Sequence, residues 1–154
     1  MNITDKIKTF QDACDALGIG SQKALPELLQ PDYASIVPPH IVALLKLEII
    51  TKALNEGWQW IPDGDTITFW PWFWLYTNNE IESMSDMEKE KIGLISAKDV
   101  SGYYSGLGFA NSNSAWSISH AYIGSRLAYK SEELAKYSGR QFIDIWKDYL
   151  FIKK

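Results

Sequence analysis

The side chains with the means to hold a ligand or a partner are a row of aromatics and a few bases. Trp70, Trp72, Trp74 and Tyr76 recur at every second position, so an extended strand would carry them on one face. Trp116 and His120 share the parity of a second such row, and Arg126 and Lys130 follow shortly after. Indoles stack on flat rings and apolar surfaces. A guanidinium grips a carboxylate or phosphate through parallel donors, and an imidazole beside a carboxylate would act as a base. The set points to binding.

Nothing in it points to a reaction. The chain has no Gly-x-x-x-x-Gly-Lys-Ser/Thr loop, no Gly-x-Gly-x-x-Gly and no Gly-x-Ser-x-Gly elbow. Two histidines and one cysteine cannot make a Cys/His zinc spacing. Asp63-Gly64-Asp65 lacks the other oxygen ligands of a calcium loop and reads as a turn. No metal and no cofactor are expected. A carboxylate pair assembled by folding, as glycoside hydrolysis uses, stays open.

The elements that would position these residues start with Gly57 to Tyr76, which holds five of the seven tryptophans. The pattern predicts a hairpin: Trp58-Gln59-Trp60-Ile61 as the first arm, a turn at Pro62-Asp63-Gly64-Asp65, and Thr66 to Tyr76 as the second arm. Ile67, Phe69, Phe73 and Leu75 fall on one face and the tryptophans on the other. Pro71 has no N–H for a ladder, so this arm is an edge strand or bulges there, and a bulge would exchange the faces. The tryptophan row is either buried between layers or partly exposed for binding. A second hairpin is expected from Leu107–Ala110 and Ala115–Ile123 around Asn111-Ser112-Asn113-Ser114. His120 reads as a half-buried, satisfied residue of that row. Arg126 to Tyr129 reads as a further strand, with Arg126 bonding carbonyls and a carboxylate at the corner or clamping an anion. Ser131-Glu132-Glu133 opens the last helix, with Leu134, Ser138, Phe142, Ile145 and Tyr149 inward, widened by Tyr137 and Trp146. Gly139 marks tight packing or a break.

Upstream, Thr4 is expected to cap a helix to Leu17, stopped by Gly18, with Ile3, Ile7, Phe10, Cys14 and Leu17 as its buried stripe. Cys14 reads as a small core residue. A short helical piece is expected over Ser21 to Gln30. Pro39 fits the first position of a central helix, His40 to Glu56, closed by Gly57. Its first half is apolar nearly all round, which places that half inside the domain and its end at the surface. His40 reads as structural. Residues 77–101 are polar and read as a long surface loop with one short helix, started by Ser85-Asp86-Met87-Glu88 and stopped by Gly93. The whole, residues 1–154, reads as one α+β domain: amino-terminal helices and a buried central helix packed on a small antiparallel sheet, closed by a carboxy-terminal helix.

A net charge of −4 with two arginines argues against double-stranded nucleic acid as a partner. The amino terminus lacks a basic stretch followed by an apolar run, so no secretion signal is expected. No window nears the about 18 apolar residues of a membrane span. One cysteine fits a reducing compartment; the cytoplasm is expected.

Ala53-Leu54-Asn55-Glu56-Gly57-Trp58, Pro71-Trp72-Phe73-Trp74 and, above all, the block Ile123-Gly124-Ser125-Arg126-Leu127-Ala128-Tyr129-Lys130-Ser131-Glu132-Glu133-Leu134-Ala135-Lys136-Tyr137-Ser138-Gly139-Arg140-Gln141-Phe142 carry a resemblance. They resemble a family of small proteins from phages and integrated elements of gut anaerobic bacteria, over roughly residues 40–150. Against that family, the polar 77–101 segment looks like an insertion. The resemblance implies a phage or mobile-element origin and carries over no active site. The function expected is a non-catalytic accessory or interaction protein in the host cytoplasm, acting through a protein surface or self-assembly. The alternative is a small-ligand binder, for a nucleotide or sugar, whose tryptophan-rich pocket uses Arg126 and Lys130. No motif supports an enzyme.

Overall fold

Ile67–Thr77 is eleven residues without a charge, dominated by aromatics and threonines that suit a pleated, half-buried strand. The computed structural model describes residues 2–20, 36–61, 63–96, 104–116 and 125–151. Among them, β1 (Ile67–Thr77), β2 (Ile95–Ser96) and β3 (Tyr104–Trp116) form an antiparallel sheet in the order β1-β3-β2. The architecture is α+β, as the sequence predicts.

The pairing is not the one predicted. Trp58–Ile61 lies in no strand, and β1 pairs instead with β3, from Ile67↔Trp116 to Thr77↔Tyr104. The turn chemistry between them still forms. Asp63 Oδ1 accepts from the N–H groups of Asp65 (3.0 Å) and Thr66 (2.8 Å), and Gly64 sits at φ +84°. The turn bends the chain without joining two strands. Likewise β3 runs straight through Asn111–Ser114, where a four-residue loop is expected. Its ladder with Phe69 to Trp72 supplies backbone partners along that stretch, and these outweigh the turn preference of Asn and Ser. Residues 117–124, where the rest of that hairpin is expected, lie outside the described residues.

The tryptophan faces keep their alternation. From Trp72 to Trp74 β1 advances two residues while β3 steps three, from Asn111 to Gly108. From Tyr76 to Thr77 the steps are one and two. Both bulges therefore place their extra residue on β3, and β1 does not slip. Phe69 and Phe73 pack toward the core, Phe73 at 5.6 Å from the Trp146 ring. Pro71 sits on an edge strand, as expected. The outer edge is met at Phe69, whose N–H donates to Tyr129 O (3.1 Å) while Tyr129 N–H donates to Phe69 O (2.9 Å). Two residues on, Pro71 faces that same edge, where its missing N–H removes no bond to β3.

The amino-terminal helix is two. α1 (Ile3–Lys6) is capped by Asn2, not Thr4, and α2 (Phe10–Ala16) by Thr9. Thr9 is the reason for the break. Its hydroxyl accepts from Asp12 N–H, and Asp12 Oδ2 accepts from Lys8 and Thr9 N–H. This restarts the helix and holds Asp12's carboxyl below its usual range, the Lys8 N–H first among the causes. The carbonyls freed between the helices bind the far end of the chain: Tyr137 Oη donates to Ile7 O (2.6 Å) and Gln141 Nε2 to Lys8 O (2.8 Å). Gly18 ends α2 at φ +67°. The helical piece expected over 21–30 lies outside the described residues.

α3 (Pro39–Leu54) starts at Pro39 and ends before Glu56 and Gly57, both at positive φ. Its burial reverses the expectation. Ile41 is exposed and Leu44 and Leu45 are half-buried, whereas Leu47, Ile50, Thr51, Ala53 and Leu54 are buried. The core lies at the carboxyl end of α3, where α2, the last helices and Tyr129 converge. Ser125–Leu127 is a single 3-10 turn, not the start of a strand, and only Tyr129 bridges β1. The closing helix is broken into α6 (Glu132–Gln141) and α7 (Ile143–Leu150) at Phe142, three residues after the buried Gly139. Ser131 caps α6, with its hydroxyl accepting from Leu134 N–H.

The 77–101 segment is more than a loop. It holds α4 (Asn78–Ser83), α5 (Asp86–Lys91) and β2, which pairs with β3 through Ile95↔Leu107. Thr77 and Ser85 form the two capping boxes; their N–H and hydroxyl donors hold the Glu80 and Glu88 carboxyls below their usual range. The segment seats on two glycines of β3. A Cβ at Gly106 would stand 2.6 Å from Ile81 Cδ1 and 3.0 Å from Leu94 Cδ1, and one at Gly108 3.2 Å from Ile92 O. Gly106→Val is therefore expected to unseat α4 and α5, at about 1–3 kcal/mol of overpacking. Limited proteolysis checks this: cleavage within 78–94 should become faster, and an unchanged rate would show the segment held elsewhere.

Candidate functional site

The tryptophan row is divided. Trp70 is 5% exposed, and among the described residues its Nε1 has no hydrogen-bond partner. Trp72 and Trp74 are 39% and 48% exposed and meet edge-to-face at 5.8 Å. Tyr76 is half-buried, its phenol pushed up by burial and then by the Glu80 charge. The α4–α5 segment packs on this face over Gly106 and Gly108, against Tyr76, and Trp74, directly across from Gly108, still stands half-exposed. On the opposite face Ile67 and Leu75 are also exposed. The row is neither all core nor all surface.

Arg126 does not lock the strand-helix corner. Its side chain is 79% exposed, and its Nη1 lies 3.7 Å from Glu48 Oε1. An exposed pair at that distance contributes about 1 kcal/mol at most. Asn55 makes the lock instead. Its Nδ2 donates to Ala128 O (2.8 Å) and its Oδ1 accepts from Lys130 N–H (3.1 Å), both from a buried position. Sequence reasoning missed Asn55. An amide just after a helix end, before Glu-Gly, has donor and acceptor to spare for a neighbouring chain, and that was the available signal. Lys130 Nζ is paired with Glu56 Oε2 at 3.1 Å.

Arg126 instead borders a cleft of about 310 Å³ together with Glu48, Lys52, Trp58, Gln59 and Trp60. The structure thus joins Arg126 to tryptophans from the segment expected to be a hairpin arm, not to Trp70–Trp74 and not to Lys130. Trp116 belongs to β3 opposite Ile67; His120 lies outside the described residues.

Beneath this cleft runs a buried polar chain. Tyr129 Oη donates to Ser138 Oγ (2.6 Å), so the bond at 2.8 Å to Thr51 is donated by Thr51 Oγ1. Trp146 Nε1 also donates to Ser138 Oγ (3.3 Å). Burial pushes the Tyr129 phenol up to about 12, against the lowering effect of those bonds. A phenol so placed stays protonated and is a structural tie. Burial likewise pushes the Cys14 thiol up, and Cys14 is a core residue. Among the described residues no three His, Cys, Asp or Glu side chains gather as a metal site, and no helix is long and apolar enough to cross a membrane. His40 is exposed at the start of α3. No protein-family model, curated protein or solved structure matches the chain.

Proposed function

We propose that the chain is a non-catalytic interaction protein that acts through β1, with a second copy of itself as the partner. The observation that carries this reading is the exposed Trp72–Trp74 pair on an edge strand. Tryptophans of this kind are the usual anchors of protein interfaces. β1 also carries no charged residue, one of the means by which an edge strand deters pairing, while Pro71 and the Phe69–Tyr129 bridge confine its open edge to the stretch from Phe73 on. Antiparallel pairing of β1 with β1 about a two-fold axis at Phe73 would set Trp72 of one copy across from Trp74 of the other. The resemblance of Ile123 to Phe142 to phage and mobile-element proteins supports an accessory role in the host cytoplasm.

Sedimentation velocity over a concentration series tests this. The wild-type protein is expected to associate, and Trp72→Ala/Trp74→Ala to stay monomeric and folded, at a cost of about 1 kcal/mol per half-exposed ring. A wild type that remains monomeric at its highest soluble concentration rejects the second copy as partner. A double variant that unfolds rejects the surface reading itself.

A further inference from the structure

We propose that the cleft beside the carboxyl end of α3 binds a small anionic ring compound: one ring unit bearing a phosphate. This site is separate from the β1 surface and rests on different residues. Its volume of about 310 Å³ is at the lower end of the about 300–1,000 Å³ typical of ligand sites, which suits one ring unit and not a polymer.

Charge selects the ligand's sign. Lys52 and Arg126 face the cleft against one carboxylate, Glu48, leaving one positive charge in a chain of net −4. Both cations are free to act. The Arg126 guanidinium is mostly in solvent and held only by the 3.7 Å contact to Glu48, so an arriving oxyanion competes with that carboxylate on favourable terms. Lys52 is in no ion pair among the described residues. Lys130 is engaged by Glu56 and takes no part.

The aromatic side selects a ring. Trp58 and Trp60 are half-buried and both border the cleft, and an indole face stacks on nucleobases and sugars alike. Asn55 spends its amide on Ala128 and Lys130, and Thr51 its hydroxyl on Tyr129. Polar recognition is therefore left to Gln59, Lys52 and Arg126. The last carbonyls of α3 repel an anion, so the charged group belongs beside Lys52 and Arg126, with the ring toward the indoles.

The test titrates the full chain with a nucleoside monophosphate, a hexose phosphate and the uncharged nucleoside, followed by calorimetry and by the indole N–H signals of Trp58 and Trp60. At least one phosphate is expected to bind and shift those signals, with the uncharged nucleoside weaker by about tenfold or more. Which phosphate binds more tightly tells a nucleotide site from a sugar site. Arg126→Gln should weaken binding about tenfold or more at an unchanged Tm, because its side chain stands in solvent. If Arg126→Gln lowers the Tm, Lys52→Gln serves for the same comparison. No shift from either phosphate at millimolar concentration overturns the proposal, and so does undiminished binding by the charge variant that keeps its Tm.

Discussion

Replacing Trp146 by alanine is expected to cost about 3–5 kcal/mol, the range for emptying an aromatic site that cannot collapse. Trp146 is fully buried, 5.6 Å from the Phe73 ring and 6.1 Å from Tyr149, so it joins α7 to the inner face of β1. Its Nε1 adds the bond to Ser138 Oγ. The two contributions separate by size. Trp146→Phe keeps much of the volume and loses the hydrogen bond, for which about 0.5–1.5 kcal/mol is usual. Denaturant unfolding of both variants checks this. An alanine variant that loses under about 1 kcal/mol would show that α7 does not close the core.

Leu47→Ala is expected to cost about 2–5 kcal/mol, and Leu45→Ala clearly less. Ala43, Leu47, Ile50, Thr51 and Leu54 are buried at helical spacing, whereas Leu45 points to the opposite side of α3 and is half-buried. Paired unfolding measurements decide the helix's rotation. Equal losses at the two sites would place solvent on neither side and restore the all-round burial that composition suggests.

That contrast shows where the sequence was legible. Ile41, Leu44 and Leu45 are as apolar as Leu47 and Ile50, so apolarity alone could not say which side of α3 meets the core. Local chemistry was readable: the Pro39 start, the Gly18 and Gly93 stops, the Ser85 and Ser131 caps and the Asp63 turn each depend on residues within four positions. Partner choice was not. β1 pairs with a strand some forty residues on, and the turn before it has every local mark of a hairpin while joining none. The α1–α2 break was half readable, since Thr9 and Asp12 form a capping pair inside an unbroken apolar stripe.

The site divides the same way. The side-chain alternation of β1 held because the bulges fell on β3, which nothing within β1 announces. Arg126 looked like a corner residue from its turn-rich neighbours, yet the corner is tied by Asn55 from seventy residues away. The cleft joins Trp58, Trp60 and Arg126 by the same long-range closure.

Trp72 and Trp74 stand partly in solvent, whereas Trp70 does not. Solvent access of the individual indoles, read by NMR with a soluble paramagnetic probe on dilute protein, tests it most directly. The indole N–H signals of Trp72 and Trp74 should broaden strongly, and those of Trp70 and Trp146 should persist. Trp72 and Trp74 signals as well protected as that of Trp146 would contradict the account, because the row would then be core and β1 would offer no surface to a partner.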